Sequence, residues 1–395
     1  MKKFSKPFTQ QEAIPEDAIK AAVSVLESGR LHRYNTAKSE TAETTLWEAE
    51  YAAYQGAKYC LATSSGGAAM QIALRASGLK HGEKVLTNAF TLAPVPGAIA
   101  AAGGVPIFVE TNENLTIDLN DLDEKFVDTG AKFLMLSHMR GHLAPMDELV
   151  AITEKYDAKI IEDCAHTMGA EWRGKKSGNF GIAACFSTQT YKHLNSGEGG
   201  LLTTDDDELM ARAVILSGSY MLYEKHGARP DMDAFADARF EMPNCSSRMD
   251  NLRAAILRPQ LKQLEGNIER WNARYRLMED YLSKVEGITM PHRPNEERYV
   301  ASSIQFLTHE WNDEKCRAFV AACLSRGVEL KWFGDKNPVG FTSRFDSWRY
   351  APEQKLDKTI TILNRVFDMR IPLIFSEDDC ALIAEIIAEE FKKVA

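Results

Sequence analysis

Short apolar runs alternate with stretches of helical period from about residue 59 to residue 215. The runs at 59–63, 84–86, 105–109, 133–136, 159–162, 184–187 and 200–204 read as buried strands. Strands and helices in alternation predict an α/β fold, a mostly parallel seven-stranded sheet flanked by helices, with ligands gathered at the carboxyl ends of its strands. One amphipathic helix precedes the strands at 16–28, followed by a polar, Arg-containing segment at 29–35. After Pro243 the pattern changes to a long helical region at 248–284. It leads from a large domain, 1–250, into a smaller C-terminal α+β domain, 251–395, with strand 302–308, helix 313–325, strand 328–332 and a last helix at 377–393. The aromatic and basic segment 331–350 is too long and irregular for an ordinary connection and reads as a functional loop.

Composition narrows the function classes. With 395 residues, 45% of them apolar, the chain can bury a core large enough for two domains. No apolar run reaches the length of a membrane span, and the first residues lack the apolar core of a secretory signal, so the cytoplasm is the expected compartment. Seven cysteines, odd in number and without close pairs, predict reduced thiols and neither a disulfide frame nor a metal site. A net charge of −9 speaks against a nucleic-acid partner, which would require clustered Lys and Arg.

Three segments carry candidate chemistry. Leu61-Ala62-Thr63-Ser64-Ser65-Gly66-Gly67-Ala68-Ala69-Met70 reads as strand, glycine turn and helix start, where the backbone N–H groups of Gly66, Gly67 and Ala68 could hold a phosphate. Ile160-Ile161-Glu162-Asp163-Cys164-Ala165-His166 is a buried strand ending in a carboxylate. Phe186-Ser187-Thr188-Gln189-Thr190-Tyr191-Lys192-His193-Leu194-Asn195-Ser196-Gly197-Glu198-Gly199-Gly200 sets Lys192 after a short strand and before a glycine-rich turn. A lone lysine is usually a solvated surface residue. Its company argues otherwise here.

In this order the segments resemble the DegT/DnrJ/EryC1/StrS family of sugar aminotransferases, pyridoxal 5′-phosphate (PLP) enzymes of the aspartate aminotransferase fold. The resemblance implies that Lys192 forms the imine with PLP and carries protons, that Asp163 grips the pyridine nitrogen, and that His166 stands at the ring hydroxyl where the family commonly has Gln. It places the phosphate on Ser65, Gly66, Gly67, Ala68 and Ser187, with Gly67 in the place of the usual Thr. Leu92 occupies the position of an aromatic that covers the ring, with Phe90 as a substitute. A homodimer with shared sites follows, the partner adding Asn244 or Ser246. The family's dehydratases carry His instead of the lysine, and Lys192 argues against that activity.

The implied reaction cycles PLP through pyridoxamine phosphate, taking an amino group from an amino-acid donor such as glutamate or glutamine to a keto or aldehyde sugar. Arg33, Tyr34, His138, Arg140, His142, Tyr220, Tyr223, Lys331, Arg344 and Arg349 are candidate substrate contacts and together suggest an anionic substrate. Arg33-Tyr34-Asn35 and the His138 turn resemble members that aminate 8-dehydro-3-deoxy-octulosonate as well as the nucleotide-sugar enzymes. Two rivals stand beside this reading: an ω-aminotransferase on small amines or carboxylated aldehydes, and a regulatory protein that keeps the fold without turnover.

Overall fold

Each strand of the large sheet carries apolar residues on both faces, because helices cover both sides of it. In the computed structural model, which describes residues 2–37 and 40–394, Leu134 and Leu136 enter one core with Trp47, Tyr51 and Phe186. Phe133 and Met135 enter the opposite core with Leu61, Ile161 and Leu202. The strands are β1 (Tyr59–Thr63), β2 (Lys84–Asn88), β3 (Val105–Val109), β4 (Phe133–Ser137), β5 (Lys159–Asp163), β6 (Glu171–Trp172), β7 (Lys175–Lys176), β8 (Ala183–Ser187), β9 (Gly200–Thr204), β10 (Glu297–Arg298), β11 (Ser303–Leu307), β12 (Lys331–Trp332) and β13 (Val366–Arg370). The large sheet has the order β1-β9-β8-β5-β4-β2-β3; β9 alone runs against the other six. Small antiparallel sheets form from β10-β6-β7 and from β11-β13-β12.

The helices are α1 (Glu16–Ser28), α2 (Glu43–Gln55), α3 (Gly66–Ala76), α4 (Pro94–Ala101), α5 (Leu119–Thr129), α6 (Met146–Lys155), α7 (Asp207–Ser217), α8 (Ala238–Glu241), α9 (Asn251–Leu261), α10 (Leu264–Leu282), α11 (Asp313–Ser325), α12 (Asp357–Leu363) and α13 (Glu377–Val394). The single helical region expected at 248–284 is two helices, broken beside Pro259, which has no N–H to give the ladder. Helix α9 belongs physically with the large sheet: Arg258 binds Glu43 and Glu50 of α2 at 2.6 and 2.7 Å. The opposite exchange occurs at the other end of the chain. Phe4 and Phe8 lie in the core of the β11-β13-β12 unit, edge-on to Phe375 at 4.9 and 5.0 Å, and the Phe4 N–H donates to the Arg326 carbonyl at 2.8 Å. Among the described residues no helix is long and apolar enough to cross a membrane.

Two elements escape the hydrophobic pattern. Helix α2 buries Glu48 beside Trp47 and Tyr51, so a charge interrupts its apolar stripe. Strand β13, central in its sheet, alternates Phe367 and Met369, which enter the core, with Asp368 and Arg370 on the other face.

The buried Glu48 explains where Arg33 goes. Its guanidinium binds Glu48 at 2.8 Å with both side chains inaccessible, while Glu48 also accepts the Ala62 N–H at 2.8 Å; His226 lies 3.3 Å from the carboxylate and 3.1 Å from the Tyr34 hydroxyl. This cluster ties the segment after α1 to α2 and β1. Removing one member strands the other charge in the interior, so Glu48→Ala is expected to lower unfolding free energy by about 3–5 kcal/mol. Chemical denaturation checks it; a loss below about 1 kcal/mol would mean that Arg33 reaches water on its own.

Candidate active site

The carboxyl ends of β1, β2, β4, β5 and β8 converge, and each contributes a polar residue. Asp163 ends β5 opposite Ser137 at the end of β4. The Ser137 hydroxyl donates to Asp163 Oδ2 at 2.9 Å while accepting from Thr91 Oγ1 at 2.9 Å, and the Ala165 N–H donates to Asp163 Oδ1 at 3.1 Å. Asn88, ending β2, pairs through its amide with both backbone groups of Ser137 at 2.9 Å. A buried carboxylate is thereby fixed in position and orientation.

Lys192 lies in the turn after β8, its N–H bonded to the Gln189 carbonyl at 2.8 Å. Its Nζ stands 2.9 Å from His166 Nε2. Burial lowers the Lys192 pKa from 10.5 to about 8; Asp163 pulls it upward, and Arg140 and Arg370 push it down. Burial, and then the Lys192 charge, hold His166 well below its usual range, so its ring is neutral near pH 7 and Nε2 accepts from the amine. The next residue, His193, turns away, edge-on to Trp271 at 5.2 Å.

The start of α3 forms the third part. Ser65 caps it by accepting the Ala68 N–H at 3.0 Å, leaving the N–H groups of Gly66 and Gly67 at a positive helix end. Close approach demands glycine on both sides. A Cβ on Gly66 would lie 3.0 Å from Ser187 Cβ, and one on Gly200 would lie 2.3 Å from the Ser65 backbone. Ser187 therefore stands against the helix start, and with the N–H groups there it makes a cradle suited to a phosphate.

The other sequence candidates are distributed differently. Leu92 is half-buried beside Thr91 and packs on the cluster containing Phe90, which is itself buried against Phe333 at 4.9 Å. Asn244 and Ser246 are exposed, the Asn244 side chain accepting the Ser246 N–H at 2.9 Å. Tyr220 is exposed near Arg248, at 5.4 Å. Arg33 and Tyr34 are held in the Glu48 cluster. His138 binds Glu162 at 3.0 Å in the interior, His142 pairs with Gln305 at 2.9 Å, and Tyr223 stacks on Phe235 at 4.7 Å. Arg344 turns its fork onto Asp346 and a third N–H onto the Gly334 carbonyl, while Phe345 and Trp348 dock the loop on Phe108 of β3 at 5.8 and 5.7 Å. Arg349 is exposed. Arg140, at φ 56°, binds Asp368 at 2.7 Å and acts on the charge of Lys192. His138, Glu162 and Cys164 bring ligand atoms within 4.8 Å of one another. The Glu162 oxygens, however, already accept from the N–H groups of Gly178, Phe180 and Gly181 and face His138, which leaves little for a metal.

Sequence reasoning missed Asn88, Thr91 and Ser137, whose polar side chains close strand ends, and it missed Asp368 and Arg370. The signal for the last two is the period-two alternation of 366–371.

The pattern of the DegT/DnrJ/EryC1/StrS aminotransferase family matches residues 12–388. This chain belongs to that family. Its members are PLP-dependent enzymes of fold type I, and the chain is an aminotransferase of that fold. It is 32% identical over 251 residues to GDP-perosamine synthase of Caulobacter vibrioides, covering 62% of this chain and 64% of the relative. It is 32% identical over 244 residues to the dTDP-3-amino-3,4,6-trideoxy-alpha-D-glucose transaminase of Streptomyces venezuelae, covering 61% and 60%. The chain thus spans under two thirds of the length of these relatives. Among solved structures, DesV of S. venezuelae, in complex with a ketimine intermediate, superposes with a TM-score of 0.81 at 26% identity over 98% of each chain.

The depressed pKa makes the Lys192 amine a reagent at mild pH. In the cofactor-free protein, capture by a small aldehyde and borohydride should follow one ionisation near 8, slow at about pH 6.5 and level above about pH 9.5, whereas ordinary lysines respond near ~10.4. Peptide mass mapping at residue 192 measures it.

Proposed function

We propose that this aminotransferase moves an amino group from an amino-acid donor, glutamate or glutamine, to the keto or aldehyde group of an anionic sugar, with PLP and its amine form as the cycling cofactor. The observation that carries the reading is a lysine amine, its pKa lowered by burial, on a neutral His166, within the field of the Asp163 carboxylate and near a helix start stripped of side chains at Gly66. These residues fit the cofactor: Lys192 for its aldehyde, Asp163 for its ring nitrogen, His166 for its ring hydroxyl, and Ser65, Gly66, Gly67, Ala68 and Ser187 for its phosphate, with Leu92 against its face.

Bound PLP supplies an aldehyde that condenses with amines and a ring that draws electron density from the carbon bearing the nitrogen. Asp163, fixed by Ser137 and Ala165, would hold a proton on the ring nitrogen of the bound cofactor and so keep that sink charged. With the cofactor bound, Lys192 Nζ, once freed by the donor amine, would be the base that takes the proton from the donor Cα and delivers it to the cofactor's former aldehyde carbon, and on the acceptor it would act in reverse. His166 accepts from Nζ and would orient the amine for that work.

A second subunit completes the site in this reading. Asn244 and Ser246 line one surface hollow with Tyr220 and Met221, large apolar side chains facing solvent in the single chain, a composition suited to a homodimer contact.

Adding donor amino acids one at a time to the PLP-loaded protein tests the reaction: the true donor bleaches the visible absorbance and the true acceptor restores it. Lys192→Ala is expected to bind cofactor and lose turnover by at least about a thousandfold, and Asp163→Asn by about a hundredfold or more, as loss of a proton-transfer group or its support entails. Turnover of Lys192→Ala within about tenfold of the parent would refute the assignment.

A further inference from the structure

The small β11-β13-β12 sheet presents an unusual face to the Lys192 turn. Its register sets Gln305 of β11 and Lys331 of β12 on either side of Asp368 of β13, with Arg370 two residues further along the same face. Asp368 is already committed, accepting from Arg140 Nη2 at 2.7 Å and from Gln305 Nε2 at 2.7 Å. Three cations, Arg140, Lys331 and Arg370, therefore share one fully buried carboxylate.

Their remaining contacts leave that charge uncompensated. Arg370 lies with its guanidinium carbon 3.8 Å from the centroid of the Tyr191 ring, adjacent in sequence to Lys192, and gives one N–H to the Phe8 carbonyl at 3.2 Å. The Lys331 ammonium stands 5.2 Å from the Phe341 ring, which meets Tyr191 edge-on at 6.1 Å. Neither Lys331 nor Arg370 forms an ion pair among the described residues. Arg140 is 5% exposed, and its Nε is buried without an acceptor. Burying like charges together is costly unless an anion arrives to join them. The rings of Tyr191 and Phe341 hold two of these cations beside the amine that does the chemistry.

We propose that Arg370, Lys331 and Arg140 form a carboxylate clamp that seats an acidic substrate next to Lys192. Arg370 offers a planar fork with one face supported by Tyr191, and Lys331 offers a point charge across the strand pair. The proposal deepens the transamination reading and rests on it for the word substrate. The binding chemistry does not depend on turnover. The carboxylate could come from the amino donor or from an acidic acceptor, and the two half-reactions tell these apart.

Titration calorimetry of the PLP-loaded protein with glutarate, an unreactive dicarboxylate, tests the clamp, with the uncharged diamide glutaramide as control. Arg370→Gln and Lys331→Met are each expected to weaken glutarate at least about tenfold and Arg370→Lys by less, with glutaramide unchanged. Lys331→Met leaves the Phe8 contact of Arg370 untouched and serves if the Arg370 variants fold poorly. Rapid-mixing half-reactions on the same variants should show the loss in the donor half if the clamp holds the donor's carboxylate and in the acceptor half if it holds the acceptor's. Parental glutarate affinity in Arg370→Gln and Lys331→Met, or equal weakening of glutaramide, overturns the clamp. Absence of bleaching by any donor, with glutarate binding still dependent on Arg370, would instead overturn the transamination reading and leave the anion site standing.

Discussion

An amine works as a base near neutral pH only where its ammonium form is made costly, and the fold supplies that cost by burying Lys192 at the carboxyl ends of the large sheet's strands under the influence of two arginines. Most of the site can be traced to this requirement. The turn carrying Lys192 must lie low against the sheet, so β9 runs backward and Gly200 passes beneath the start of α3 with no room for a side chain. Asp163 works against that cost by pulling the Lys192 pKa upward, and its carboxylate is held in one place by Ser137, which is itself anchored by Asn88 and Thr91.

The large sheet was legible because its strands are buried on both faces and so read as unbroken apolar runs; all seven appear within a residue or two of their predicted limits. The motifs were legible for a similar reason, since glycines and hydroxyls at strand ends mark places where backbone and ligand approach closely. Helix α2 was not, because Glu48 occupies a core position and cancels the stripe that would have announced it. Strand β13 was obscured in the same way: Asp368 and Arg370 look like surface residues until the neighbouring strands show which side they face.

Residue type proved a poor guide to substrate contacts. Arg33, His138 and Arg344 were candidates because arginine and histidine recognise anions, yet each meets an acidic partner of its own, Glu48, Glu162 and Asp346, separated from it by 15, 24 and 2 positions. Only a folded chain reveals which cations have been neutralised. Arg370 carried no motif at all, and its place beside Tyr191 follows entirely from strand pairing in the small sheet.

The pairing of the first residues with the last strands bears on how the protein is made. Phe8 and Arg370 meet across 362 positions, and Phe4 and Phe8 fill a core whose walls, Phe375 and Cys380, lie near the other end. During synthesis those phenylalanines leave the ribosome long before Arg370 and Phe375 and wait, exposed, until those partners have followed. Loop closure over that distance comes late. The large sheet can assemble in sequence order, while the small unit is completed only when the two ends find each other, which makes it the step at which a nascent chain is most open to chaperones and to aggregation.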